Sequence, residues 1–191
     1  MRRGLLAVAM AAMLATGAGA APAVPDPEVS ACTELGDAVE IEDGRTIAIL
    51  QADLVAGHYD AVVARTAEVE ALLRRHAGRH RIERCGDIVR VNSGNADDAL
   101  FAQADMVGTI TKSTASKIVV DSAQSYLVTG YALAAALALE RQDTAAAARW
   151  IAAGRVLAPA EPLFATLERD KYPYGGALQA LGFEIFRRTP H

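Results

Sequence analysis

Apolar residues return along most of this chain at the spacing of a helix rather than a strand. From Arg45 to Ala56, Ile47, Leu50 and Leu54 recur every three or four residues, with Gln51 and Asp53 on the opposite face. Gly57 and His58 interrupt that pattern. A second helix is expected from about Asp60, carrying Val62, Val63, Thr66, Val69, Leu72 and Leu73 on one stripe and Arg65, Glu68, Glu70, Arg74 and Arg75 toward water. Asp60 near its start and Arg74, Arg75 and His76 near its end suit the helix dipole. Helices joined by so short a turn are expected to lie antiparallel and bury their stripes against each other. Ahead of them, Glu40-Ile41-Glu42-Asp43-Gly44 reads as turn chemistry.

The clearest stretch runs from Ser122 to Leu157. Tyr126, Leu127, Tyr131, Ala134 and Leu137 make one helix, and Ala146, Ala147, Trp150, Ile151, Gly154, Val156 and Leu157 another. Glu140 to Thr144 forms the turn, with Asp143 or Thr144 as N-cap, and Pro159 and Pro162 stop the second helix. A last short helix is expected over 176–187, on Leu178, Leu181, Ile185 and Phe186. The middle is less regular. Gly86 to Asn92 alternates β-branched residues as a short strand or an irregular helix end, Asn92 to Asn95 is a turn cluster, and a helix fits Ala96 to about Thr109. Thr111 to Lys117 reads as a polar connection, and Ile118-Val119-Val120 fits a strand or a helix start.

The N-terminus has a different character. Met1-Arg2-Arg3 precedes an uncharged run from Gly4 to Ala15, and Ala18-Gly19-Ala20 offers the small residues that signal peptidase accepts. Residues 1–20 are therefore expected to be a cleavable signal, and the product periplasmic or secreted. Val29-Ser30-Ala31-Cys32 has the residue types of a lipobox, which would make Cys32 a lipid anchor. Pro25, Asp26, Pro27 and Glu28 separate it from the apolar run, so the lipoprotein is the less favoured alternative. The apolar run falls short of the roughly 20 residues a membrane span needs, and no stable span is expected after cleavage. The expected organisation is a signal over 1–20, a leader and first turn over 21–43, one helical domain over 44–187 and a tail over 188–191. Losing Arg2 and Arg3 with the signal moves the net charge from -4 to -6, and no basic stripe marks a nucleic-acid partner. The two cysteines, Cys32 and Cys85, would close a loop of about 50 residues as a disulfide in an oxidising compartment, with two buried thiols as the alternative.

Small residues at the close-packing positions of the helix pairs, and a Pro where the later pair ends, give the chain a family likeness. Gly130 and Tyr131, then Ala146, Ala147, Ile151, Gly154 and Pro159, resemble the tetratricopeptide repeat; Leu50, Leu54, Gly57, Tyr59 and Val62 match it more weakly in the earlier pair. The chain departs from that family in the long first helix of the later pair, in an unrepetitive middle and in lacking a constant period near 34 residues. The fold expected is all-α, stacked antiparallel helix hairpins, with one short irregular or β segment near 87–91. The resemblance implies a binding scaffold that offers a face to a protein or peptide partner.

Candidate chemistry is sparse. His76 and His80 stand at the i, i+4 spacing of a shared metal on a helix, with Glu83 or His58 as a third ligand, although Gly78 and several Arg interrupt the set. Thr114, not a serine, stands three residues before Lys117, so no Ser-x-x-Lys motif is formed, and the Gly pairs lack a phosphate-loop context. No catalytic set, metal set or cofactor is expected. The function read from the sequence is a non-enzymatic exported protein–protein interaction module; the alternative is a small exported enzyme or metal-binding protein using His58, His76 and His80. Tyr172 and Tyr174, flanking Pro173, are the candidate binding residues, because two rings with polar tips in a loop make a ligand surface.

Overall fold

A computed structural model describes residues 30–31, 35–86, 88–92, 117–121, 125–169 and 176–188. Tyr172, Tyr174, Cys32 and the helix expected over 96–109 lie outside them. Among the described residues there are seven helices: α1 (Asp37–Val55), α2 (Tyr59–Ala64), α3 (Thr66–Arg75), α4 (Ser125–Glu140), α5 (Thr144–Leu157), α6 (Pro162–Arg169) and α7 (Gly176–Arg188). A small sheet joins them, with strands β1 (Ser30–Ala31), β2 (Ile82–Cys85), β3 (Ile88–Asn92) and β4 (Lys117–Asp121) in that order. The molecule is thus mostly helical with a short β portion. The short irregular or β segment expected near 87–91 is the strand β3, and Ile118-Val119-Val120, expected as a strand or a helix start, is part of β4.

The sheet mixes directions. β2 and β3 form an antiparallel hairpin with Cys85 opposite Ile88, and Gly86 at its tip takes φ 59°, which a glycine adopts without strain. β1 runs parallel to β2 with Ala31 opposite Arg84, and β4 runs parallel to β3.

Helix α4 organises everything else. Its sequence is apolar on every side, so no face of it is suited to water, and from Leu127 to Ala138 every residue but Thr129 is buried. Helices α1, α3, α5, α6 and α7 all pack on it. Each fully buried Leu of α4, such as Leu127, Leu133 and Leu137, stabilises the fold by roughly 1.5–3 kcal/mol relative to exposure. Gly130 admits two neighbours at once, because a Cβ there would stand 3.2 Å from Leu73 Cδ2 and 3.3 Å from Ile47 Cδ1. No helix among the described residues is long and apolar enough to cross a membrane.

The hairpin of α4 and α5 forms where the sequence predicts it, and Asp143 caps α5 by accepting from the Ala146 N–H at 2.8 Å. Three expectations are corrected. The turn at 40–44 is absent: α1 runs unbroken from Asp37, so the domain does not begin at 44, and the acids read as turn residues are held by cations from later in the chain. The early helices do not chiefly bury their stripes on each other. α1 and α3 each pack on α4, the second helix breaks at Arg65 (φ -98°, ψ 14°), and Val63 is exposed. Pro162 does not only stop a helix but starts one as the first residue of α6, where its missing N–H costs nothing. Glu161 caps that helix, accepting from Leu163 N–H at 3.0 Å and from Arg188 at 2.5 Å.

Helix α1 ends in a Schellman turn. His58 N–H reaches Asp53 O at 2.8 Å, Gly57 N–H reaches Leu54 O at 3.1 Å, and Gly57 takes φ 81°.

Candidate functional site

Glu40 and Asp43 lie one turn apart on α1, and both meet the segment that follows α3. Arg75 donates to Asp43 Oδ1, and His76 Nε2 stands 2.9 Å from Asp43 Oδ2. Arg79 donates to Glu40 through one nitrogen and to Glu83 Oε2 through the other at 3.4 Å. The other oxygen of Glu83 accepts from His80 N–H at 3.0 Å, and Asn92 Nδ2 donates to His80 O at 2.6 Å. Asp43, His76, Arg79, Glu83 and Asn92 are all buried. This network ties α1, the end of α3 and the β2–β3 hairpin together through charge-assisted hydrogen bonds. Such a cluster adds little net stability when complete, yet losing one partner strands a buried charge at a cost of about 3–5 kcal/mol.

An ionised carboxylate only accepts, so the Asp43 contact assigns the proton of neutral His76 to Nε2. Nδ1 then faces inward, buried and without a hydrogen-bond partner among the described residues. Burial pushes the His76 pKa below its ordinary value, because removing imidazolium from water outweighs the attraction of Asp43. The Tyr126 ring meets His76 edge-on at 5.9 Å. An Asp–His pair is the base half of a hydrolytic triad. Here none of the His76 surface is exposed, so no substrate reaches it, and the pair acts as a latch between elements.

The histidines of the metal reading are not brought together. α3 ends at Arg75, so His76 and His80 do not share a helix face, and Gly78 turns the chain between them with φ 95°. His58 bonds Asp53 at 3.3 Å with its ring largely in water. Asp53 and Asp43 are ten residues apart on α1, about 15 Å at the helical rise, which keeps His58 away from His76. No group of three or more His, Cys, Asp or Glu side chains suited to a metal occurs among the described residues.

A groove of about 580 Å³ lies between α5 and α6, with Leu139 of α4 also in its lining. Ile151 and Leu167 give it an apolar floor. Ala148 and Ala152, one turn apart on α5, let a visitor approach the backbone closely. Arg155 and Glu168 form its rim and pair at 2.6 Å, while Arg155 also lies 6.0 Å from the Phe164 ring centroid. Sequence reading passes over this groove because Ala148 and Ala152 carry no chemistry of their own; what signals it is an alanine pair on the solvent side of an otherwise amphipathic helix.

No known protein family, characterised protein or solved structure matches this chain.

Proposed function

We propose that the chain is an exported, non-enzymatic module that binds a protein or peptide partner in the groove between α5 and α6. The observation that carries this reading is the groove itself: an apolar floor, two alanines that open the α5 backbone, and a rim whose charges already satisfy each other. Such a site suits an apolar side chain presented on a partner helix or an extended segment. Tyr172 and Tyr174 follow α6 within five residues and would extend the face. The tetratricopeptide likeness read in the sequence favours the same reading, and side chains of neighbouring helices do approach α4 at Gly130 and α5 at Gly154.

Export rests on the N-terminal signal and fits a disulfide between Cys32 and Cys85. In favour of that pair, Ala31 and Arg84 stand opposite each other in parallel strands, Cys32 and Cys85 follow them directly in sequence, and no cysteine among the described residues is a free thiol.

The test is a crosslinking pull-down of the tagged chain from the envelope of its host, read by mass spectrometry beside Ala152→Arg and a Tyr172→Ala/Tyr174→Ala variant. A partner enriched by the parent and lost from both variants supports the module and its face. A partner retained by Ala152→Arg would place binding elsewhere, and no enriched partner would overturn the reading.

A further inference from the structure

Away from the α5–α6 groove, whose lining it does not share, α1 presents to water a face that is not suited to it. With 3.6 residues per turn, Ile41, Ala48, Ile49, Ala52 and Val55 fall within about a third of the helix circumference, all are exposed, and Arg45 is the charged residue within the stripe. Val55 also lines a cavity of about 330 Å³ with Phe183 and Phe186 of α7, which joins the two helices into one patch. Phe183 is 62% exposed, Phe186 47%, Ile41 63%, Ile49 47% and Val55 38%. Taking on the order of 200 Å² for a whole phenylalanine, the patch shows about 450 Å² of apolar surface, high in the range found for the largest such patch on a monomer.

We infer that this patch is a two-fold interface with a second copy of the chain. An isologous contact requires one surface to complement itself, and this one does so in shape and in charge. Antiparallel pairing of α1 with its copy, centred near Ala48, sets the small side chains of Ala48 and Ala52 close to the axis, where the helices approach most closely. The protruding Ile41 of each copy then meets the cavity beside Val55 of the other. The same register sets Arg45, which pairs with exposed Glu42 of its own chain at 3.0 Å, within reach of Asp53 of the second copy, whose other contact is the exposed His58 ring at 3.3 Å. The apolar area is about half of the 800 Å² that each partner gives to a standard interface, which places the contact among the weak, transient ones. The groove between α5 and α6 is not part of this face, so the two assignments stand or fall separately.

The experiment is sedimentation velocity over a concentration series, with the chain purified as its host makes it. The expected result is a concentration-dependent dimer that Ala48→Arg weakens at least tenfold, because two like charges meet at the axis. Arg45→Asp weakens it by about tenfold, and the double exchange Arg45→Asp/Asp53→Arg returns it to within about threefold of the parent. Ala48 and Arg45 are exposed and Asp53 is half-buried, so circular dichroism is used to check that each variant is folded. A chain monomeric at every concentration overturns the inference, as does a dimer indifferent to Ala48→Arg or a charge exchange that restores nothing.

Discussion

Replacing Gly154 by alanine tests the packing of α5 on α6 with the smallest possible perturbation. A Cβ at this position would stand 2.7 Å from Phe164 Cε1 and 3.0 Å from Cε2, with Cζ nearer still. Phe164 is fully buried and Arg155 lies over its ring, so the ring cannot swing away without displacing its neighbours. Overpacking of this kind costs about 1–3 kcal/mol, while the helix gains back up to about 1 kcal/mol from losing a glycine, leaving a net loss of about 1–2 kcal/mol. Gly44→Ala supplies the control. It too lies inside a helix, but its Cβ would meet Tyr126 Cδ1 at 3.6 Å, an ordinary contact, so the propensity gain of about 0.5–1 kcal/mol is kept. The two variants should differ by about 2–3 kcal/mol, or roughly 5–10 °C in Tm for a chain of this size, measured by urea and thermal unfolding followed by circular dichroism. In a double-mutant cycle, Gly154→Ala/Phe164→Leu should lose less than the sum of its parts. Equal stability of Gly154→Ala and Gly44→Ala would refute the close approach of Phe164 to α5.

Asp43→Asn should cost about 1–3 kcal/mol in urea unfolding, because buried His76 and half-exposed Arg75 lose their common charged acceptor. His76 is depressed by burial, so the unfolded chain takes up its proton first as the medium acidifies; its contribution is complete above about pH 6.5 and is lost as pH falls toward the folded-state value. Unfolding free energies between pH 8 and 5 should therefore decline more steeply in the parent than in His76→Gln, and parallel curves would exclude that role. Asp143→Ala should cost about 1 kcal/mol through the lost cap of α5, read as a lower urea midpoint at unchanged m. Without reductant, neither Cys32 nor Cys85 should react with a thiol label in denaturant; two labelled thiols would end the disulfide assignment.

The hairpin of α4 and α5 was legible because its information is local. Asp143 caps by a contact three residues long, and the alternation of helix and turn is written in the residues themselves. The start of α1 was not. Glu40 and Asp43 in front of a glycine have the chemistry of a turn, and only partners 32 to 39 residues later, the cations Arg75 and Arg79 and the donor His76, turn them into interior helix positions. The same holds for the segment after α3. Read alone it is a solvated basic end, and in the fold it is the buried counterpart of those acids. The two acids and the Arg-rich segment do match as opposite charges, a signal that spacing rules do not weigh. The break at Arg65 leaves no trace in composition, and α6 was hidden because Pro marks both the end of one helix and the beginning of the next.

The enclosure of α4 bears on how the gene can change. A solenoid of independent repeats grows or shrinks by whole units, since each contacts only its neighbours. Here one segment serves as common ground for five others, so deleting or duplicating a hairpin would uncover a rod of Leu, Val and Ala. Variation is left to the outward-facing positions of the surrounding helices, and any new binding specificity has to be written there, while residues 127–138 answer to five other helices at once.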